Sequence, residues 1–310
     1  MIVTVTLNPT LDKTLSVSRL QPGTVHRARF LRQDLGGKGI NVSRALRSLG
    51  IPSRPIGFLA GVTGQAMRHG LAAEGFDARF IEVQGETRQN LTLLDEATGV
   101  YTKINEPGPS IGPADVAALR ALVIELVQPG DIWAFCGSLP PGAPAALYGE
   151  LIHLVQTRGG LAILDTSGEP LRAGLTARPW GIKPNSEEAA EIVGHPVVSD
   201  EEHLQAARSL REAGTQVVCL TRGAQGLLLA AGEEFVWAVP PPVRARSPVG
   251  AGDAALAGLL WAMMDGCDAL EMARRAVACG TAAAMQEGTG VGERKLVEGL
   301  LGLVQVHPAD

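Results

Sequence analysis

The chain has 310 residues, of which 45% are hydrophobic and 19% charged, and its formal net charge is −5. The apolar fraction predicts a substantial core, and the length suits one large α/β domain with an appendage. The acidic balance and the lack of a basic block exclude nucleic acid and acidic membrane surfaces as main partners, while allowing a local basic pocket for a phosphorylated substrate.

The four cysteines, Cys136, Cys219, Cys267 and Cys279, are scattered with no C-x-x-C. Three sit among apolar or small residues. They read as reduced, inert thiols of a cytoplasmic protein, and neither they nor the six histidines show zinc spacing. The N-terminus lacks a basic region and is too short for a signal or a membrane span.

Ile2 to Leu7 is β-branched and mostly apolar, which predicts a first central strand broken by Asn8-Pro9-Thr10. Asp12 follows just past its carboxyl end, where open α/β sheets bind ligands. A turn residue is an equal reading of that position. Lys13 to Val17 and Val25 to Leu31 form a thin hairpin-like pair. Arg88 to Leu94 and Val100 to Asn105 form a second pair. Four half-polar strands of this kind predict one small sheet outside the main one, with a face free to cover a site or meet a partner.

Gly36-Gly37-Lys38-Gly39 opens a helical stripe of Val42, Ala45, Leu46 and Leu49, stopped by Gly50. Lys38 and Asn41 lie together at its start. Gly39 stands where a P-loop requires Ser or Thr, so the motif suits sugar hydroxyls or a sugar phosphate better than a P-loop. Strands and helices then alternate. Strands are predicted at 53–59, 77–82, 131–135, 161–164 and 216–220, and helices at 63–73, 113–127, 143–158 and 201–213. Ser138 lies in a loop past a strand end and reads as a ligand contact or a turn serine. Asn185 and Glu188 form a capping box and also suit a hydrated magnesium. A hairpin is predicted from Leu227 to Ala230 and Glu234 to Val239. The alternation implies a mainly parallel sheet with helices on both faces.

Ser247-Pro248-Val249-Gly250-Ala251-Gly252-Asp253 precedes an apolar helix from Leu256 to Met264. Unpaired amides at a helix start and the helix dipole favour an anion there. An acid beside them suits removal of a proton from a hydroxyl that attacks phosphorus. A helix cap is the plain alternative. A dinucleotide fingerprint is disfavoured, because the upstream Pro240-Pro241-Pro242 is no central strand. A last helix is predicted from Ala269 to Gln286.

The motifs Asn8-Pro9-Thr10-Leu11-Asp12, Gly36 to Val42, Thr87-Arg88-Gln89-Asn90, Gly137-Ser138-Leu139-Pro140, Lys183-Pro184-Asn185-x-x-Glu188 and Val249 to Asp253 occur in an order that resembles the PfkB (ribokinase-like) carbohydrate kinases over essentially the whole chain. The most similar subgroup is that of 1-phosphofructokinase and tagatose-6-phosphate kinase. The resemblance implies a single domain over 1–310, a ribokinase-like three-layer sandwich with a small β-sheet lid. The lid strands would come from about 13–34 and 88–106. It implies ATP-dependent phosphorylation of a ketohexose phosphate, with fructose 1-phosphate first and tagatose 6-phosphate or fructose 6-phosphate as alternatives. A non-catalytic sugar-phosphate sensor is the reading from another class.

The resemblance also assigns roles. Asp253 would be the base, with Gly250, Ala251 and Gly252 as the anion hole. Asp12, Gly37, Lys38, Asn41, Arg88 and Ser138 would meet the phosphosugar, with Arg27 and Lys103 as weaker candidates from the small sheet. Lys183, Asn185, Thr221, Gly223 and Gly226 would serve the nucleotide. Asn185 and Glu188 would hold Mg²⁺, and the lid would pair two subunits in a homodimer.

Overall fold

In the computed structural model, which describes residues 1–288 and 290–309, strand β1 (Ile2–Thr6) is buried along its full length. A β-branched run covered on both faces requires this. Val3 and Val5 enter one apolar cluster and Ile2 another. On the second face Thr4 Oγ1 and Ser43 Oγ share a hydrogen bond of 2.8 Å, whereas the buried Thr6 Oγ1 has no hydrogen-bond partner among the described residues.

The chain continues through β2 (Thr10–Val17), β3 (Arg29–Gly36), α1 (Lys38–Ser48), β4 (Ser53–Ala60), α2 (Gly61–Ala73), β5 (Arg79–Val83), β6 (Gln89–Asp95) and β7 (Tyr101–Ile104). Next come α3 (Pro113–Leu126), β8 (Ile132–Cys136), α4 (Leu147–Gln156), β9 (Leu161–Asp165), α5 (Gly168–Leu175), β10 (Gly181–Ile182), α6 (Ser186–Val193) and α7 (Asp200–Glu212). Then β11 (Val217–Thr221), β12 (Leu227–Ala231), β13 (Glu234–Val239), α8 (Ala251–Met264), α9 (Ala269–Ala284), α10 (Arg294–Leu301) and β14 (Gln305–Pro308) complete it.

The large sheet has ten strands in the order β14-β13-β12-β11-β10-β9-β8-β1-β4-β5. From β11 to β5 neighbouring strands run parallel, and β12, β13 and β14 add an antiparallel edge. Helices cover both faces. Leu119, Leu151 and Ala206, from α3, α4 and α7, pack in one cluster. Val42, Leu256, Ala276 and Leu300, from α1, α8, α9 and α10, pack in the other. Residues 253–262 of α8 are all buried. A helix apolar on every side belongs inside a layer, and each fully buried Leu there contributes about 2 kcal/mol. No helix among the described residues is long and apolar enough to cross a membrane.

The second sheet, β3-β2-β6-β7, is the small sheet expected from the half-polar strands. It rests on a third cluster of Leu11, Ile40, Leu59, Met67, Leu71, Phe76 and Phe80. Two strands of the small sheet depart from expectation by three residues or more. The second strand of the small sheet is Arg29–Gly36 rather than 25–31, because pairing with β2, Thr10 opposite Gly36, sets the register instead of local alternation. Val25 is almost wholly exposed in the connecting loop. Asp12 lies inside β2 and belongs to the small sheet. Helices α5 and α10 and edge strand β14, eight, eight and four residues long, lie outside the expected elements.

Candidate active site

Parallel strands bring their carboxyl ends to one side, and open α/β sheets bind ligands there. At that side stand Asn8 after β1, Ser138 after β8, Asp165 at the end of β9, Lys183 after β10 and Thr221 at the end of β11. Helices α1 and α8 begin at the same place. Gly37 caps α1 with φ +123°, a conformation that side-chain residues rarely adopt, and a Cβ there would lie 2.7 Å from Thr6 Cγ2. Glycine thus lets the start of α1 sit directly on β1.

Asp253 is in the first turn of α8 and is buried. Its Oδ2 accepts a 2.8 Å hydrogen bond from Asn41 Nδ2, one turn into α1. Burial pushes the Asp253 carboxyl up to about 6, and the charge of Asp165 adds to this, whereas Asn41, Lys38 and Lys183 pull it down. The group is then mostly ionised at neutral pH yet basic enough to take a proton. Asn41 Oδ1 is buried with no hydrogen-bond partner among the described residues.

Asp165 has no exposed side-chain surface. Its Oδ1 accepts from Lys38 Nζ at 3.1 Å and lies 3.2 Å from Lys183 Nζ. Burial pushes the Asp165 carboxyl up, but the two ammoniums and their hydrogen bonds outweigh it and hold the group below its usual range. Asp165 in turn raises Lys38. Burial pulls Lys183 down most strongly, but the acidic groups around it, Asp165 foremost with Cys219 and Asp253, together outweigh it and raise the ammonium. A Cβ on Gly252 would lie 3.6 Å from Lys183 Nζ, so this ammonium sits beside the start of α8. Cations, a helix N-terminus and a poised carboxylate together suit phosphoryl transfer.

At α8 the amide of Ala251 donates to the Pro248 carbonyl at 3.3 Å. An anion at this start would therefore rest mainly on the flanking amides of Gly250 and Gly252. Asn185 and Glu188 form the expected capping box of α6. Asn185 Oδ1 accepts from the Glu188 amide at 2.8 Å, and Glu188 Oε2 accepts from the Asn185 amide at 2.9 Å. Thr221 bridges to Asn185, and Gly223 and Gly226 bound the single 3-10 turn after β11. That turn lies beside Lys183 and Asn185 in space.

On the small-sheet side, Asp12 Oδ1 accepts from Asn90 Nδ2 at 3.0 Å and from Thr10 Oγ1 at 3.2 Å. Burial raises its carboxyl. Arg88 donates to the carbonyls of Asn8 at 2.9 Å and Glu106 at 3.3 Å, which fixes the guanidinium between the two sheets. Ser138 Oγ lies 3.4 Å from Asn8 Nδ2. Arg27 is exposed in the β2–β3 loop, and Lys103 is exposed on edge strand β7. Neither touches the central cluster among the described residues.

Two residues of this site were outside the sequence-based set. Asn8 fastens three segments, since its Nδ2 also donates to the Pro107 carbonyl at 3.0 Å. Asp165 is the hub of the lysines. The signal available for it was positional, an acid closing the apolar strand Leu161 to Leu164, the same kind of placement that singled out Asp12.

Comparison with known proteins agrees with this geometry. Residues 5–296 match the family described as pfkB family carbohydrate kinase. A 1-phosphofructokinase from Rhodobacter capsulatus is 38% identical over 278 residues, 89% of this chain and 88% of that protein. A tagatose-6-phosphate kinase from Staphylococcus epidermidis is 30% identical over 293 residues, 94% of each chain. The crystal structure of phosphofructokinase-2 from Escherichia coli in complex with potassium superposes with a TM-score of 0.93 at 30% identity, covering 97% of this chain and 98% of that one. A tetrameric inhibited form of that enzyme has been solved as well. The fold, the cluster at its strand ends and these likenesses together place the chain in the pfkB family of carbohydrate kinases.

Proposed function

We propose that this protein transfers the γ-phosphoryl group of ATP to a ketohexose phosphate, with fructose 1-phosphate converted to fructose 1,6-bisphosphate. The observation that carries the reading is a buried, poised Asp253 in the first turn of α8, held by Asn41 and set near two lysines that share the carboxylate of Asp165. The likeness to 1-phosphofructokinase supports the choice of sugar.

In this reading Lys38 and Arg88 bind the phosphate already on the sugar, and Asp12, Asn41, Gly37 and Ser138 meet its hydroxyls. Arg27 and Lys103 close over it only if the small sheet moves as a lid. Asp253 takes the proton of the C6 hydroxyl as its oxygen bonds to the γ-phosphorus. The bond to the bridging oxygen breaks, and ADP leaves. Lys183 and the amides at the start of α8, chiefly those of Gly250 and Gly252 with Ala251 between them, meet the charge that develops on the phosphoryl oxygens. Thr221, Gly223 and Gly226 hold the nucleotide.

Asn185 and Glu188 fit a hydrated Mg²⁺. The donors are oxygens only, the capping box uses one Glu188 oxygen, and no group of three or more His, Cys, Asp or Glu stands together among the described residues to form a dedicated cage. Bound Mg²⁺ would neutralise charge on the ATP phosphates. The small sheet excludes water from the cleft and pairs two subunits. Phosphorylated substrates and four free cysteines, three of them buried, suit the cytoplasm.

The deciding experiment is kcat/KM with ATP and Mg²⁺ on fructose 1-phosphate, tagatose 6-phosphate and fructose 6-phosphate, side by side. Preference for fructose 1-phosphate supports the proposal. A preference for tagatose 6-phosphate supports a second reading, favoured by the tagatose-6-phosphate kinase likeness. Sugar binding without turnover on any of the three would indicate a sensor.

A further inference from the structure

Lys38 and Lys183 come from opposite halves of the cleft. Lys38 opens α1, beside the small sheet, and Lys183 follows β10, beside Asn185 and Thr221. Both ammoniums nevertheless meet the same oxygen, Asp165 Oδ1, at 3.1 and 3.2 Å. Lys183 is nearly buried, with 6% of its side chain exposed, and Asp165 has none exposed. Buried charges persist only when paired, so this carboxylate is the condition for placing two cations here.

Asp165 Oδ2 is buried and has no hydrogen-bond partner among the described residues. A carboxylate that served packing alone would have both oxygens satisfied. Without substrate, a long lysine side chain also loses its geometry readily, because it is flexible.

We propose that Asp165 is a positioning residue that holds Lys38 and Lys183 on one carboxylate and so sets the phosphosugar and nucleotide halves of the site at a fixed separation. The inference rests on the kinase reading given above. Each ammonium can turn toward a substrate phosphate while its partner stays on Oδ1. The open Oδ2 offers the displaced lysine a second acceptor, so neither leaves the carboxylate entirely. The pair keeps one net positive charge facing two anionic ligands, and Asp165 removes the repulsion between the ammoniums that would otherwise drive them apart.

The test compares Asp165→Asn, Lys38→Met and their double variant, with fructose 1-phosphate and ATP as probes. Asp165→Asn keeps the shape and loses the charge. It should raise the KM of both substrates, each by about tenfold, the loss expected for a charge-assisted hydrogen bond. In the Lys38→Met background the same change should no longer move the sugar KM, while still raising the ATP KM through Lys183. Additive effects on the sugar KM, or a fall in kcat with both KM values unchanged, would overturn the proposal.

A second cycle leaves Asp165 in place and reads Tm for Lys38→Met, Lys183→Met and the double variant. Each single change leaves the carboxylate one partner and should be tolerated. The double strips it of both, so its loss should exceed the sum of the singles, up to failure to fold. Simply additive Tm losses would refute a shared anchor. Absence of turnover in the parent protein would remove the kinase reading, and this second cycle would still decide the role of Asp165.

Discussion

Asn41 and Asp253 lie 212 positions apart in the chain and are joined by a buried 2.8 Å hydrogen bond from the Asn41 amide to Asp253 Oδ2. The bond occupies one carboxylate oxygen, and the proposed proton transfer would use the other. It also stabilises the ionised form of Asp253 against the burial that pushes its carboxyl up to about 6.

Asn41→Ala removes that donor, so the Asp253 carboxyl should titrate above its present value. The acid limb of kcat/KM, expected near pH 6 in the parent, should move to higher pH. At pH 7 the rate should fall by about two- to tenfold, since a hydrogen bond to a charged group is worth about 1.5–3 kcal/mol and the parent carboxyl is already mostly ionised there. A pH–rate profile of both proteins reads this, and an unmoved acid limb would show that the bond does not tune the base.

Asp253→Asn should abolish most turnover while raising stability. The folded carboxyl titrates near 6 rather than 3.8, so the ionised form is disfavoured in the folded state. That destabilisation is absent below about pH 4, grows through the window from 4 to 6, and is complete above it. Above pH 6 the neutral variant should be more stable by about 2–3 kcal/mol, and the gain should vanish at pH 4. Thermal melts at the two pH values check the sign. Retention of near-normal kcat would remove the base role.

Gly226 leads into β12 with φ +93°, and a Cβ there would collide with the Ala238 carbonyl oxygen of β13. Gly226→Ala should therefore cost about 3 kcal/mol from backbone strain and displaced pairing. Because this turn follows Thr221, the KM for ATP should rise more than that for the phosphosugar. Equal shifts would place the turn outside the nucleotide site.

The edge strands of the small sheet expose Phe30 on β3 and Tyr101 and Ile104 on β7, each more than half exposed. Exposed edges with large apolar groups invite pairing with another copy. Light scattering at micromolar concentration should give a dimer, and Tyr101→Asp should shift it toward monomer. A monomeric parent protein would exclude pairing through this sheet, and a tetramer would call for a second interface.

Much of this molecule was legible along the chain. The β-branched run of β1 and the all-apolar stretch of α8 each report a layer buried on every side, since hydrophobic pattern is local. The capping box of Asn185 and Glu188 is likewise local, because its partners are three residues apart. Four half-polar segments announced a second sheet. The motif residues Lys38, Asn41, Lys183 and Asp253 stand out in the sequence, and they lie together at the strand ends.

Other features have no local signature. The start of β3 at Arg29 follows from pairing with β2, and Asp12 joins that same sheet, because register is a property of two strands. Helix α5, helix α10 and strand β14 are short and take their form from the surfaces they cover. Asp165 is one acid at a strand end until β9 is set beside β10 and opposite α1. Only then does a single oxygen meet two lysines, and only then does the pairing of Asn41 with Asp253 exist. The residue types and their order selected the chemistry, and the tertiary structure decided which groups share a charge, because Coulomb and hydrogen-bond contacts act over a few ångströms of space and not along the chain.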